Sequence, residues 1–199
     1  MGKLVDDGEK GITTARAGHM AHGTTRQVLS LITNPIDVIC GNLKTVHDMM
    51  PDRPDILGAH LEGPFLAMPR KAPMIPNCLV DPTPDLVSRM LDAADGCLRQ
   101  ITIAPELPHG IDAIRRFFLA GVVPAVGHCD ADYQTARKGF DAGAGIMTHM
   151  FNAMNGLHHR DPRPDSGGSG GSEGHHRAYQ RRIPRAGSHG QARIRACAP

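Results

Sequence analysis

The amino-acid sequence predicts an α/β fold in which a parallel sheet is covered by helices. Short apolar runs alternate with helix-like segments from about residue 20 to residue 155. The apolar runs are continuous rather than alternating, which indicates strands that are buried on both faces. Polar side chains follow several of these runs directly, and α/β folds place their active sites at the carboxyl ends of such strands. Functional residues are therefore expected at the strand ends.

Five strands and four helices are predicted, each from its own run of residues. The strands cover positions 25–32, 56–62, 98–104, 122–127 and 146–149. The helices cover positions 35–49, a segment that begins at Thr83-Pro84, positions 111–120 and positions 130–142. Proline is favoured in the first turn of a helix, so Thr83-Pro84 is a clear start signal. Five strands are fewer than the eight that a closed (β/α)8 barrel needs.

Three of the strand ends carry residues that bind metals in proteins. Glu62 ends the run Ile56-Leu57-Gly58-Ala59 within His-Leu-Glu-Gly-Pro, His128 follows positions 122–127, and His149 follows Ile146-Met147-Thr148. A buried carboxylate is costly to desolvate unless it gains a metal, a cation or a substrate group as its partner. One glutamate and two histidines from three strand ends are a plausible metal-ligand set.

Composition excludes several other functional classes. The chain has 199 residues, enough for one domain, and a formal net charge of only +2, so no global field favours a nucleic acid or a membrane as partner. There is no apolar run long enough for a membrane span and no signal-peptide core after Met1, which predicts a cytoplasmic protein. The five cysteines are widely spaced, which disfavours a disulfide framework or a thiolate zinc site. Cys129 is expected to be a small packed residue rather than a reactive thiol.

The last 37 residues differ abruptly from the rest. Positions 163–199 contain no Leu, Val, Phe or Met and are rich in Gly, Arg, Ser, Pro and His, so they are predicted to form a disordered tail. Either a change of reading frame or an evolved linker and tail would explain this composition. A nucleic-acid-binding role for the arginines is the alternative, but Tyr179 is the only aromatic residue there to stack on a base.

An ordered set of short motifs resembles the N-acetylglucosamine-6-phosphate deacetylases of the amidohydrolase superfamily. The matches span roughly positions 15–162 and are Gly23-Thr24-Thr25, His60-Leu61-Glu62-Gly63-Pro64-Phe65-Leu66, Ala104-Pro105-Glu106, Gly127-His128, Thr148-His149-Met150-Phe151-Asn152-Ala153-Met154 and His158-His159-Arg160. Each motif alone is a weak signal, but the ordered set is specific.

The resemblance implies an incomplete TIM-type (β/α)8 metal-dependent hydrolase barrel over positions 11–162, followed by the tail. It implies that Glu62, His128 and His149 bind zinc or iron, that Asn152 and Ala153 contact the substrate, and that Arg160 receives the 6-phosphate. The implied reaction is hydrolysis of N-acetylglucosamine 6-phosphate to glucosamine 6-phosphate and acetate, usually by a homo-oligomer. His19, His22, His158 and His159 are expected to be surface residues.

The chain also departs from the family pattern. Met74 stands where the family has a substrate-contacting histidine, and the first barrel strand has no counterpart before Gly11. The family's catalytic aspartate, in a Thr-Asp-Ala setting, is absent after Pro162. The alternative interpretation is therefore a catalytically inactive fragment of the barrel.

Overall fold

A computed structural model describes residues 7–70, 76–156 and 175–176. Within them, six parallel strands form a sheet in chain order: β1 (Gln27–Ile32), β2 (Ile56–Glu62), β3 (Leu98–Ile103), β4 (Val123–Val126), β5 (Ile146–Met147) and β6 (His175–His176). The first five are the predicted strands, and β2 has the predicted bounds. The parallel α/β architecture is confirmed.

Helices follow or precede these strands, as parallel connections require. They are α1 (Gly8–Met20), α2 (Ile36–Met49), α3 (Pro84–Ala94), α4 (Gly110–Leu119) and α5 (Tyr133–Asp141), with short 3-10 turns at Met68–Arg70 and Pro76–Cys78. The periodicity predicts α2 to α5. It does not predict α1, which is weakly amphipathic and buries only Gly11 and Ile12.

Side-chain caps set where two helices begin. Thr83 caps α3, because its hydroxyl accepts a hydrogen bond from the Leu86 backbone N–H at 3.4 Å, with proline in the first turn. Asp132 caps α5 by accepting from the Thr135 N–H at 2.7 Å. The predicted helix over positions 130–142 therefore starts three residues later than expected, because Asp132 itself has an extended backbone.

The core lies between the sheet and its helices. Leu29 and Leu31 of β1 are buried in the same cluster as Ile39 and Leu43 of α2. Burial on both faces, predicted for every strand, holds for Gln100–Ile103 within β3 but not for β1, where Val28 and Ser30 are exposed. In the described part of the chain, no element covers that face of the sheet at the β1 edge.

Strand register brings the carboxyl ends of the strands to one edge. Ile32 pairs with Glu62, which pairs with Thr102, and Val126 pairs with Met147. Residues that follow β2, β4 and β5 therefore meet there. His175–His176 pairs with β5, while the rest of positions 163–199 lies outside the described residues, so the predicted tail stays a prediction. No helix of the described part is long and apolar enough to cross a membrane.

Candidate metal centre

The three predicted ligands converge at the carboxyl edge of the sheet. His128 Nε2 lies 2.6 Å from Glu62 Oε1, and His149 Nε2 lies 2.9 Å from the same oxygen. The candidate ligand atoms all lie within 4.8 Å of one another, close enough to share one ion. His128 is buried, whereas Glu62 and His149 are half-buried. The site is therefore anchored in the protein but open to solvent on one side.

Unusual backbone conformations help to aim the two histidines. His128 (φ 50°) and His149 (φ 52°) both adopt the left-handed region two residues after the ends of their strands. Non-glycine residues rarely adopt this region, and such positions cluster at functional sites because surrounding structure must hold them there. The turn after His149 is tight, since the Asn152 N–H donates to the His149 carbonyl at 2.5 Å.

The two imidazoles and the carboxylate influence one another's ionisation. Burial would raise the pKa of Glu62, but hydrogen bonds with His128 and His149 outweigh it and hold this pKa well below its ordinary value. Burial would lower the pKa of His128, but its hydrogen bonds with Glu62 and the Arg70 carbonyl raise it instead. The carboxylate is thus held in the charged form that binds cations.

The other predicted site residues lie on the loop after His149 or outside the described residues. Asn152 is exposed and Ala153 (φ 51°) is half-buried, both on the loop that begins at His149. Arg160, Met74, His158 and His159 lie outside the described residues. Glu106, which follows β3, does not join the three ligands. Its Oε1 accepts a hydrogen bond from the Asp130 N–H at 2.5 Å, and burial raises its pKa.

A line of hydrogen bonds that the sequence does not predict crosses the sheet below the centre. Ser30 Oγ lies 2.8 Å from His60 Nδ1, His60 Nε2 lies 3.2 Å from Thr102 Oγ1, and Thr102 Oγ1 lies 2.9 Å from Thr148 Oγ1. We call these four residues the polar layer. His60 precedes Glu62 by two positions and Thr148 directly precedes His149, so the layer supports the backbone that carries two ligands. The presence of polar residues within otherwise apolar strands is the feature of the sequence that could predict this layer.

A second missed feature links the loops around the centre. Arg70, after β2, bonds to Asp130, after β4, and to Asn155, after β5. These residues are separated by 60 and 85 positions. Their opposite charges and polar side chains are visible in the sequence, but nothing in the pattern pairs them.

Comparison with known sequences finds a consistent set of relatives, although no family model matches. The chain is 31% identical over 146 residues to an N-acetylglucosamine-6-phosphate deacetylase of Lysinibacillus sphaericus, covering 70% of this chain and 37% of that protein. It is 34% identical over 144 residues to the Vibrio furnissii protein of that name, covering 70% and 36%. The chain thus spans about two fifths of the length of these relatives.

Solved structures agree with this result. The N-acetyl-D-glucosamine-6-phosphate deacetylase of Mycobacterium smegmatis superposes with a TM-score of 0.83 at 36% identity, over 87% of this chain and 46% of that one. A mutant of that protein, solved in complex with N-acetyl-D-glucosamine-6-phosphate, gives the same TM-score and identity. The Thermotoga maritima deacetylase, at 21% identity and a TM-score of 0.75, supports the fold alone.

Proposed function

Since the chain is related in sequence and fold to the N-acetylglucosamine-6-phosphate deacetylases, we propose that it carries the metal-binding part of such an active site. Glu62, His128 and His149 hold one divalent cation, zinc or iron. The observation that carries the proposal is the convergence of these three side chains, from three separate strands, within 4.8 Å.

The donor atoms suit such an ion. Two imidazole nitrogens and one carboxylate oxygen are ligands that zinc and ferrous iron accept. Three protein ligands that leave a position open are typical of catalytic rather than structural zinc sites. When bound, the ion would polarise an amide carbonyl and lower the pKa of a water molecule.

The substrate proposed for this site is a phosphorylated N-acetyl amino sugar. Asn152 and Ala153 follow His149 within four residues, so a molecule at the metal would lie beside them. Arg160 binds the 6-phosphate, because a guanidinium can donate two hydrogen bonds to one phosphate group. A homo-oligomer in the cytoplasm, with no nucleic-acid or membrane partner, remains part of this proposal.

The chain's own residues do not complete the proton transfer. The sequence contains no Thr-Asp-Ala segment, the setting in which the family carries its general acid and base. Since such a group contributes roughly 100- to 10,000-fold to a rate, we propose that this chain binds metal but does not turn over substrate.

Metal analysis of the purified 199-residue chain tests the proposal. We expect about one zinc or iron per chain, and none after Glu62→Ala, His128→Ala and His149→Ala are combined. The matched control combines Glu9→Ala, His19→Ala and His22→Ala, which removes one glutamate and two histidines that are exposed on α1 and the turn after it. Equal metal content in the site variant and the parent would contradict the proposed ligands.

An assay of acetate release tests the proposal that this chain does not turn over substrate. We expect no release from N-acetylglucosamine 6-phosphate above background. Turnover at ordinary enzyme rates, about 1–1000 per second, would show that another residue supplies the proton transfer.

A further inference from the structure

Each of the three proposed metal ligands is followed, in the loop after its strand, by a second polar residue. Arg70 follows Glu62 by eight positions, Asp130 follows His128 by two, and Asn155 follows His149 by six. These three second residues contact one another. We call Arg70, Asp130 and Asn155 the loop clamp.

The loop clamp is a closed set of hydrogen bonds. Arg70 Nε and Nη2 both donate to Asp130 Oδ1, at 3.0 and 2.7 Å, and Arg70 Nη2 also donates to Asn155 Oδ1. Asn155 Nδ2 donates to Asp130 Oδ1 at 2.9 Å. The planar guanidinium fixes the directions of its bonds, which a flexible ammonium group would not do. Each loop is thereby bonded to the other two.

Arg70 also contacts a proposed ligand directly through its backbone. His128 Nδ1 lies 2.9 Å from the Arg70 carbonyl oxygen. A carbonyl only accepts hydrogen bonds, so Nδ1 donates to it, and Nε2, on the side of Glu62, is the nitrogen available to a metal. Partners of this kind orient metal-binding histidines and fix their tautomer. The Ala67 N–H donates to the His128 carbonyl at 2.9 Å, a second link between the same two loops.

From this geometry we propose that Arg70 is a positioning residue of the metal centre, an inference that rests on the proposed function. Its side chain, held by Asp130 and Asn155, fixes the position of its own carbonyl, and that carbonyl holds His128 with Nε2 directed at Glu62. Glu106, which follows β3, supports the clamp by accepting a hydrogen bond from the Asp130 N–H.

Because the side chains of the Arg70–Asp130 ion pair are partly exposed, the positioning role of Arg70 can be distinguished from a contribution to stability. The Arg70 and Asp130 side chains are 31% and 45% exposed, and ion pairs in such positions contribute little to the free energy of unfolding. Loss of a partner that orients a ligand typically weakens metal binding by about 10- to 100-fold. Removal of the Arg70 side chain should therefore weaken metal binding while the thermal midpoint of unfolding changes little.

Zinc titration of the full chain against a chromogenic chelator tests the proposal. We expect Arg70→Met to weaken zinc binding by about 10- to 100-fold. Arg89→Met is the matched control, because Arg89 makes a comparable ion pair with Asp37 on the helices away from the centre. Asp130→Ala should weaken binding similarly, and the double variant Arg70→Met, Asp130→Ala should lose no more than either single variant, since both remove the same clamp.

A second readout follows the hydrogen bond itself. In the zinc-loaded parent, the His128 Nδ1 proton should give an NMR resonance that exchanges slowly with water, and its exchange should be faster in Arg70→Met. If Arg70→Met does not fold, Asp130→Asn retains the size of the side chain and should show the same changes to a smaller extent.

The outcomes distinguish the two proposals. If the parent binds neither zinc nor ferrous iron, the proposed function is overturned and the role of Arg70 with it. If the parent binds zinc and the clamp variants bind it equally tightly, with an unchanged His128 Nδ1 proton, the role of Arg70 alone is overturned.

Discussion

Glu62 Oε1 lies 2.6 Å from His128 Nε2, although the two residues are 66 positions apart in the chain. The contact exists because parallel strands present their carboxyl ends at one edge, and β3 alone separates β2 from β4. Thr102 of β3 is fully buried below the pair and bonds to residues on both sides of it. The geometry of the centre therefore depends on the strands beneath it as well as on the ligands.

The polar layer should contribute measurably to stability. Thr102→Val keeps the shape of the side chain but leaves His60 Nε2 and the Thr148 hydroxyl without this partner, so we expect the free energy of unfolding to fall by about 1–3 kcal/mol. Thr45→Val is the control, because its exposed hydroxyl bonds to the Gly41 carbonyl of the same helix, and it should change stability by less than about 0.5 kcal/mol. Urea denaturation measures both. Equal effects would mean that the layer contributes nothing beyond a surface hydroxyl.

Gly127 should tolerate no side chain. A Cβ at this position would lie 2.7 Å from Thr148 Cβ and 3.1 Å from the Thr148 carbonyl oxygen, on the residue before His149. We expect Gly127→Ala to destabilise the protein by about 1–3 kcal/mol, because strand β4 must move away from β5.

Gly41→Ala is the matched control for this change, since nothing lies within 4 Å of a Cβ built at Gly41. It lies inside α2 and should stabilise the protein slightly, because alanine favours helix more than glycine does. Thermal unfolding of the two variants gives the comparison. A Gly127→Ala variant as stable as the parent would show that the ends of β4 and β5 can separate at no cost.

The cap of α5 should make stability depend on acidic pH. The hydrogen bond from the Thr135 backbone N–H lowers the pKa of Asp132 below its ordinary value of 3.8. A carboxyl group whose pKa is lowered by folding stabilises the protein above its unfolded pKa, and this contribution is lost as the pH falls through the folded pKa. We expect Asp132→Ala to cost about 1 kcal/mol at pH 7.

The variant Asp132→Asn keeps a side chain that can cap α5 but removes the carboxylate charge. Asparagine caps helices about as well as aspartate, so stability at pH 7 should remain close to that of the parent. The stability difference between parent and Asp132→Asn should shift in favour of the asparagine variant below about pH 4. Denaturation curves at pH 7 and pH 3 measure this difference, and an unchanged difference would show that the charge of Asp132 does not contribute.

Cys129 should be unreactive despite following His128. It is completely buried, and burial raises the pKa of its thiol to about 12. The thiolate is the reactive form, so alkylation by iodoacetamide at pH 8 should be much slower at Cys129 than at half-buried Cys40. Peptide mass spectrometry after timed labelling measures both, with labelling in urea as the reference. Equal rates in the folded chain would identify Cys129 as a reactive thiol.

The sequence by itself determined the alternation of elements and the identity of the proposed ligands. Periodicity predicts the bounds of β2 (Ile56–Glu62), and Thr83-Pro84 marks the start of α3. Both can be read from the sequence because these patterns depend only on residues that are neighbours in the chain. Glu62, His128 and His149 could be grouped in advance because strand direction alone brings the ends of parallel strands to one edge.

Tertiary structure alone decided the distances at the centre and what supports them. The polar layer and the loop clamp join residues up to 85 positions apart, and such pairs depend on loop conformations that no periodic pattern encodes. The left-handed backbone at His128 and His149 is equally invisible in the sequence, since both residues ordinarily avoid it and only the surrounding contacts hold them there. Local patterns determine where the chain forms strands and helices, whereas the orientation of each side chain depends on the residues that the fold places beside it.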